Sequence, residues 1–281
     1  MTNVLHTVES VRSAIAIARD AGETVALVPT MGALHAGHLS LVSLALQRAD
    51  RVIVSVFVNP LQFGPGEDYD AYPRQLEADV ALLREAGVDW VFAPEVAEMY
   101  PHWPTTTVVT AGEAGRILEG EFRPTHFDGV LTVVAKLFSI VQPDFAVFGE
   151  KDAQQLALIR RMVADLNLPL EIMGAPIVRE ADGLARSSRN AYLVGADRER
   201  ATVLSRALAA VDEASGSGVA AALAAGAAVY VSEPSVQVDY LTAVDAATFI
   251  PVADGFAGDA LVLTAARVGS TRLIDNRAVR F

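Results

Sequence analysis

The stretch Pro29-Thr30-Met31-Gly32-Ala33-Leu34-His35-Ala36-Gly37-His38 predicts how this chain folds around a binding site. An apolar run at residues 24–28 precedes it, and a helical pattern at residues 39–49 follows it. The order is therefore strand, glycine-punctuated turn and helix. A helix N-terminus offers unpaired N–H groups and a partial positive charge, both of which favour phosphate. We expect this turn to bind a phosphate-bearing ligand, and ordinary packing of a Gly/His turn is the alternative.

Two residue types give the turn its chemistry. Gly32 and Gly37 allow unusual backbone angles and close approach of a ligand to the chain. His35 and His38 can donate hydrogen bonds to phosphate oxygens, and an imidazole can also supply a proton near neutral pH. The turn therefore contains groups suited to phosphate binding and to acid catalysis.

Strand-length apolar runs alternate with helical patterns up to about residue 174. The predicted strands are residues 24–28, 51–58, 89–93, 145–149 and 170–174. The predicted helices are residues 39–49, 74–85, 130–141 and 153–166. Such alternation predicts an α/β fold, with a Rossmann-like parallel sheet and helices on both faces. Ligands bind such sheets at the carboxyl ends of the strands, where the Gly/His turn begins.

The pattern changes after about residue 190. Helices are predicted at residues 196–214 and 219–231, on either side of the flexible turn Ser215-Gly216-Ser217-Gly218. Strands of a small antiparallel sheet are predicted at residues 236–243, 260–268 and 271–274. We therefore expect a Rossmann-like domain at residues 1–178 and a smaller C-terminal α+β domain at residues 179–281.

Composition excludes several classes of function. The net charge of −12 argues against a general nucleic-acid or anionic-membrane surface, and no apolar run reaches the length of a membrane span. The chain has no cysteine, so disulfides and cysteine-ligated metals are excluded. We expect no signal peptide, because residues 1–12 lack a basic segment followed by an apolar core. These features are compatible with a cytoplasmic location.

Three further polar clusters follow predicted strands or the predicted domain boundary. Asn59 and Gln62 carry amides that can both donate and accept, which suits a hydroxy acid, although Asn-Pro also forms plain turns. In Phe148-Gly149-Glu150-Lys151-Asp152, the lysine can neutralise a phosphate; a capped helix start is the alternative. In Arg186-Ser187-Ser188-Arg189, two hydroxyls and a forked cation suit a triphosphate, and a polar linker is the alternative.

Taken together, these motifs are similar to those of one enzyme family. Residues 29–38 resemble the His-x-Gly-His signature of the nucleotidylyltransferase superfamily, and their amino-acid sequence is most similar to that of the pantoate–β-alanine ligase (pantothenate synthetase) family. The strings Phe57-Val58-Asn59-Pro60-Leu61-Gln62-Phe63 and Phe148-Gly149-Glu150-Lys151-Asp152-Ala153-Gln154-Gln155 match the same family, and the resemblance extends from about residue 5 to residue 276. One departure is Arg186, where the family usually has Met or Leu.

The resemblance implies a site for each substrate. Gln62, Gln155 and Asn59 would bind (R)-pantoate, and Gln62 would also bind β-alanine. His38 would donate a proton to the departing group, with His35 and Lys151 as the other catalytic side chains. Asp79 falls where the family places a magnesium-associated acid, a weak metal assignment because few other ligands lie near it in sequence. ATP would contact Met31, Gly32, Ala33, Leu34, His35, Ala36, Gly37, His38, Gly149, Glu150, Lys151, Asp152, Val178, Arg186, Ser187, Ser188 and Arg189.

The same resemblance implies the reaction and its partners. ATP would be a substrate that arrives with Mg²⁺, and the products would be pantothenate, AMP and pyrophosphate, formed through a pantoyl adenylate. The C-terminal domain would close over the ATP site, residues 67–74 would belong to a flap, and the chain would form a homodimer. Arg116 and Arg123 are expected near the phosphates. Two alternatives are a related nucleotidylyltransferase and a catalytically silent nucleotide-binding protein.

Overall fold

The computed structural model describes residues 2–281. The chain divides into two compact units. The first contains the residues up to Glu150 together with Gln154–Pro176, and the second contains Lys151–Ala153 together with Ile177–Phe281. The sequence predicts a single division between residues 178 and 179. It does not predict that the short segment Lys151–Ala153 groups with the second unit.

A six-stranded parallel sheet forms the centre of the first unit, with the strand order β1-β4-β3-β2-β5-β6. Apolar, β-branched runs such as 52–54 favour strands because both faces of the sheet are covered. The strands are β1 (Asn3–Leu5), β2 (Val25–Thr30), β3 (Arg51–Val56), β4 (Trp90–Phe92), β5 (Phe145–Gly149) and β6 (Glu171–Ala175). The order reverses beside β2, which carries the Gly/His turn at its carboxyl end, so this turn lies at a topological switch point.

Seven helices accompany this sheet in the described part of the chain. They are α1 (Val8–Asp20), α2 (Ala36–Leu46), α3 (Leu76–Glu85), α4 (Val96–Met99), α5 (Glu119–Phe122), α6 (His126–Val141) and α7 (Ala153–Asp165). Alternate residues of β2 belong to different apolar clusters: Val25 and Leu27 pack with α1, α6 and α7, whereas Ala26 and Val28 pack with α2 and α3. The sheet is therefore buried on both faces, and each fully buried Val or Leu contributes about 1.5–3 kcal/mol.

The second unit is a three-stranded antiparallel sheet with helices packed against it. Its helices are α8 (Ala196–Arg200), α9 (Val203–Glu213) and α10 (Val219–Val231), and its strands are β7 (Val236–Asp245), β8 (Asp259–Val268) and β9 (Thr271–Arg280). The strand order is β7-β8-β9, joined as a meander. Apolar residues of α9 and α10 form two clusters with this sheet.

The predicted fold class is confirmed: a parallel α/β sheet accompanies a small antiparallel α+β unit. Several elements differ from the sequence-based expectation, which did not include the short helices α4 and α5. The structure adds β1 and α1 before the first predicted strand. The predicted helix 196–214 breaks into α8 and α9 around Ala201 and Thr202, and the final strand continues to Arg280 instead of ending at residue 274. Among residues 2–281, none of the helices combines the length and the apolar character that crossing a membrane requires.

Candidate active site

The turn after β2 is held by a buried carboxylate. Both oxygens of Asp79, on α3, accept backbone N–H groups of the turn: Oδ2 accepts from Ala33 at 3.0 Å and Oδ1 from Leu34 at 2.8 Å. Gly32 has φ +82°, and a Cβ there would lie 2.9 Å from Asp79 Oδ2 and 3.0 Å from Val56 Cγ1. Glycine is therefore required at this position for both its conformation and its size. The turn is fixed before any ligand binds.

The two histidines cap α2, and backbone groups set their tautomers. His35 is the N-cap residue, and its Nδ1 accepts from the N–H of Gly37 at 3.1 Å. His38 Nδ1 accepts from the N–H of His35 at 3.3 Å, and the two ring centroids are 4.1 Å apart. Because a backbone N–H can only donate, both Nδ1 atoms are acceptors and each neutral ring carries its proton on Nε2. Both imidazoles are thus N–H donors at a helix N-terminus.

Gly37 does not use the backbone freedom that glycine allows. Gly37 lies in the first turn of α2 and does not adopt a positive φ. The residue with the unexpected backbone is Ala33, at φ +51°. A hydrogen bond from its N–H to Asp79 holds Ala33 in this conformation, which costs an ordinary L residue about 1–2 kcal/mol.

A buried amide network occupies the turn after β3. Asn59 is 1 % exposed, and its Oδ1 accepts from the Leu61 N–H at 3.3 Å and from the Tyr100 hydroxyl at 2.8 Å. Burial raises the pKa of the Tyr100 phenol, so it remains protonated and donates. The Asn59 amide nitrogen donates to the Gly129 carbonyl and to Gln62 Oε1, both at 3.1 Å. Every polar atom of this asparagine side chain is thus committed to the protein.

This network also decides which way the Gln62 amide points. The backbone N–H of Leu61 can only donate, and the backbone carbonyl of Gly129 can only accept, so together they fix which end of the Asn59 amide is the oxygen. The Asn59 amide nitrogen therefore faces Gln62. Gln62 must then turn its oxygen toward Asn59. Its amide nitrogen is directed away from Asn59 as a donor, and among the described residues no protein acceptor contacts it. Gln62 thus offers an N–H donor suited to a carboxylate or a hydroxyl oxygen.

The backbone of Gln62 is held from a second side. Its carbonyl accepts from Arg123 Nη2 at 3.1 Å and contacts His126 Nδ1 at 3.0 Å. Arg123 also pairs with Glu67, in the segment that follows the Asn59–Gln62 turn. Arg123 is therefore engaged with a carboxylate, and Arg116 pairs with Glu113 on an exposed surface at 3.2 Å.

The polar residues that follow β5 contact different parts of the protein. Lys151 Nζ lies 3.6 Å from Asp152 Oδ2, and the Lys151 carbonyl accepts from Asn276 at 2.9 Å. A Cβ on Gly174 would lie 2.8 Å from Glu150 Oε1, which places that carboxylate over β6. Gln155 is half-buried on α7. Its neighbour Gln154 is buried and bonds to the backbone of residues 114, 117 and 119, a structural role that the sequence did not distinguish.

Residues 178–190 form a short hairpin in the second unit. The N–H of Arg186 donates to the Val178 carbonyl at 2.9 Å, and Arg179 and Ala185 form a β-bridge. Ser187 then caps a 3₁₀ turn, Ser188–Tyr192, by accepting from the Arg189 N–H at 3.3 Å. The structure thus brings the predicted residues of this motif together on one hairpin and the turn that follows it.

Arg186 points along this hairpin to a carboxylate. Its Nη2 donates to Glu180 Oε2 at 2.9 Å, while its Nε is buried and makes no hydrogen bond with the described residues. Asn190 Oδ1, four residues later, is also buried without a hydrogen-bond partner there. Buried polar atoms without partners are uncommon, so this hairpin retains hydrogen-bonding capacity for a ligand or water.

The structure gives Asp79 a clear role that does not depend on metal. It is fully buried and holds the backbone of the Gly/His turn. Among residues 2–281 there is no group of three or more His, Asp or Glu side chains placed to hold a metal ion.

Comparison with protein families supports the sequence resemblance. The model of the Pantoate-beta-alanine ligase family matches residues 3–278. A pantothenate synthetase of Leifsonia xyli is 59% identical over 91% of this chain and 88% of that protein. A pantothenate synthetase of Thermobifida fusca is 56% identical over 90% of this chain and 88% of that protein.

Solved structures agree with these relatives. A crystal structure of pantothenate synthetase from Thermus thermophilus matches with a TM-score of 0.92 and 51% identity, over 98% of both chains. Pantoate-beta-alanine ligase from Francisella tularensis, complexed with beta-gamma ATP and beta-alanine, matches with a TM-score of 0.80 and 33% identity. That match covers 99% of this chain and 97% of the other. The chain therefore belongs to the pantoate–β-alanine ligase family.

Proposed function

We propose that this chain condenses (R)-pantoate with β-alanine, using ATP, to form pantothenate, AMP and pyrophosphate. The observation that carries this proposal is the family match along residues 3–278. The relative bound to an ATP compound and β-alanine supports these two substrates. The local geometry is consistent with them, since the Gly/His turn suits phosphate and the Asn59–Gln62 turn offers an amide donor.

In the first half-reaction, a carboxylate oxygen of pantoate attacks the α-phosphorus of ATP. A new O–P bond forms, the bond between the α-phosphorus and the bridging oxygen breaks, and pyrophosphate leaves with the electron pair. His35 and His38 donate their Nε2 protons toward phosphate oxygens, and His38 stabilises the negative charge that develops on the departing group. Lys151 and the Ser187–Arg189 segment contribute positive charge and hydroxyl donors to the nucleotide phosphates.

In the second half-reaction, the amine of β-alanine attacks the acyl carbon of the pantoyl adenylate. A C–N bond forms, the acyl C–O bond to AMP breaks, and the amine loses a proton to solvent or to phosphate. Gln62 orients pantoate through its amide nitrogen, and Asn59 holds Gln62 in that orientation. Gln155 supplies a second amide for pantoate. The enzyme's contribution is then mainly positioning and charge stabilisation.

Other parts of the proposal concern partners. Mg²⁺ enters on the phosphates of the ATP substrate, where it keeps several waters and needs few protein ligands, and Asp79 is the acid that the family resemblance associates with it. We also assign the remaining predicted nucleotide contacts to the ATP site. They are the residues from Met31 to Ala36, those from Gly149 to Asp152, Val178 and Arg186. We further propose a cytoplasmic homodimer, as the family resemblance implies.

The first test measures AMP and pyrophosphate release from ATP and (R)-pantoate, with and without β-alanine. Multiple turnovers of AMP only in the presence of both substrates, with pantothenate as the product, are the expected result. Turnover that ignores β-alanine and yields a nucleotidylated product would instead identify a nucleotidylyltransferase. ATP binding without any release would identify a silent binder, and either result would overturn the proposal.

A further inference from the structure

A buried carboxylate in the second unit connects two segments that the proposed function assigns to the nucleotide. Asp275, on β9, is 3 % exposed and forms a two-pronged ion pair with Arg179, with Nη1 to Oδ2 at 2.7 Å and Nη2 to Oδ1 at 2.9 Å. The Asn276 N–H also donates to Asp275 Oδ1 at 2.8 Å. Two parallel bonds of this kind fix the direction as well as the distance of the pair.

On one side, the ion pair anchors the hairpin. Arg179 is the second residue of the 178–190 hairpin, and its guanidinium also donates to the carbonyls of Gly183 and Asn276 at 3.0 and 3.1 Å. Ser187–Arg189 lie further along the same hairpin. The position of these phosphate-directed residues therefore depends on where Arg179 is held.

On the other side, the neighbouring residue of β9 holds Lys151. Asn276 is 5 % exposed, and its amide nitrogen donates to the Lys151 carbonyl at 2.9 Å. Burial raises the pKa of the Asp275 carboxyl overall, while Arg179 and the nearby Lys151 ammonium favour its ionised form. The consecutive residues Asp275 and Asn276 thus fix Arg179 and the Lys151 backbone to one strand.

A merely structural explanation of this arrangement is weak. Burying an ion pair costs desolvation energy that its attraction barely offsets, and apolar residues of similar size often stabilise a protein as well or better. The second unit already has two apolar clusters between its helices and its sheet. The ion pair therefore contributes more to geometry than to net stability.

The geometry points to Asp275, Asn276 and Arg179 as positioning residues for nucleotide binding, which hold Lys151 and the Ser187–Arg189 segment in register with each other. This inference rests on the proposed function for the identity of the nucleotide as ATP. These residues act through Lys151 and the hairpin and need not touch the substrate themselves. Their loss should impair the use of ATP more than the use of pantoate.

The test compares Asp275→Asn with a matched variant, Asp239→Asn. Asp239, on β7, also pairs with an arginine of β9, Arg272 at 2.6 Å, and its side chain is only 6 % exposed. Both variants therefore remove one buried charge from the same sheet. We measure kcat/KM for ATP and for pantoate, the affinity for a non-hydrolysable ATP analogue by calorimetry, and Tm.

We expect Asp275→Asn to lower kcat/KM for ATP and the analogue affinity by about 10- to 100-fold, with pantoate KM within about two-fold. Asp239→Asn should lower Tm and leave both nucleotide measurements within about two-fold of the unmodified protein. Asn276→Ala, which keeps the ion pair and removes the bond to Lys151, should show a smaller ATP defect in the same direction.

Equal losses for ATP and pantoate, or equal ATP defects in Asp275→Asn and Asp239→Asn, would overturn the inference. If Asp275→Asn does not fold, Asn276→Ala becomes the deciding variant. An unchanged analogue affinity in Asn276→Ala would then reject the positioning role. The analogue affinity separates this inference from the proposed function. A protein that binds the analogue but makes no pantothenate would reject the function and still report on these positioning residues.

Discussion

The Gly/His turn at residues 32–38 and the hairpin at residues 178–190 are both assigned to phosphate, yet they are built differently. The first is fixed by backbone hydrogen bonds to Asp79 and by the imidazole caps of α2. The second combines backbone hydrogen bonds across the hairpin with ion pairs, and it contains two buried polar atoms without partners among the described residues, at Arg186 and Asn190.

This difference indicates two kinds of binding element. In the turn, the backbone N–H groups of Ala33, Leu34, His35 and Gly37 all donate to protein side chains, so the turn is ordered in advance and costs little to order when the ligand binds. In the hairpin, the polar atoms without partners gain bonds only when a ligand or water reaches them. We therefore expect changes in the turn to affect kcat and stability strongly, and changes in the hairpin to affect mainly KM for ATP.

The largest effect should come from His38→Ala. In the proposed mechanism, His38 donates to the place where charge develops on the departing pyrophosphate, so kcat for adenylate formation should fall by about 10²- to 10⁴-fold. Pantoate-dependent exchange of pyrophosphate into ATP measures this step. His102→Ala, at an exposed histidine of the same unit, is the control and should be neutral. Adenylate formation near the normal rate in His38→Ala would reject the assignment of His38.

The next effect tests the rigidity of the turn through Gly32→Ala. The new Cβ would contact Asp79 and Val56 at a positive φ, so we expect a stability loss of about 2–5 kcal/mol and a marked loss of kcat. Gly22→Ala is the matched control, because Gly22 has φ +74° with nothing within 4 Å of its Cβ position. It should cost about 1–2 kcal/mol of stability and no activity. Similar denaturant midpoints for the two variants would show that the turn tolerates crowding.

A smaller effect is expected for Asp79→Asn. One of the two backbone N–H groups would then face an amide N–H₂, and leaving a buried donor unsatisfied costs about 1–3 kcal/mol. Asp245→Asn is its control, since Asp245 caps the backbone of Ala247 and Thr248 in an exposed turn where water can replace the lost bond. Equal changes in Tm for the two variants would argue against a special role for burial at Asp79.

The smallest effect should come from Arg186→Met, which restores a residue usual in the family. A partly exposed ion pair with Glu180 contributes about 0–1 kcal/mol, so Tm should hardly change. KM for ATP should shift by a few-fold and KM for β-alanine by less. Glu180→Gln separates the loss of the ion pair from the loss of the arginine. Equal shifts in both KM values would contradict a nucleotide role for Arg186.

Much of the fold was predictable because its signals are local. Apolar runs such as 145–149 and helical patterns such as 219–231 correspond to elements with the same bounds. The first helix was missed although Thr7 forms a capping box with Ser10, a signal that was present in the sequence. No Gly or Pro marks the break at Ala201 and Thr202, so it carries no local breaker signal.

Within the site, too, residues with a local signal were predictable and contacts between distant residues were not. The Gly/His motif identified His35, His38 and Gly32 directly, because a strand, a turn and a helix lie next to each other along the chain. Tyr100 carries no local signal, although it holds Asn59 from 41 residues away. Asp275 and Arg179 are 96 residues apart, and nothing near either residue identifies the other as its partner.

The sequence by itself determined the class of fold, the family and the residue types that the family resemblance assigns to the nucleotide and pantoate. Only the tertiary structure decided how these groups are oriented: which nitrogen of each histidine carries the proton, which way the Gln62 amide faces, and that Asp79 holds the turn. The physical reason is that orientation depends on hydrogen-bond partners. Those partners are brought together by folding, and spacing along the chain does not record them.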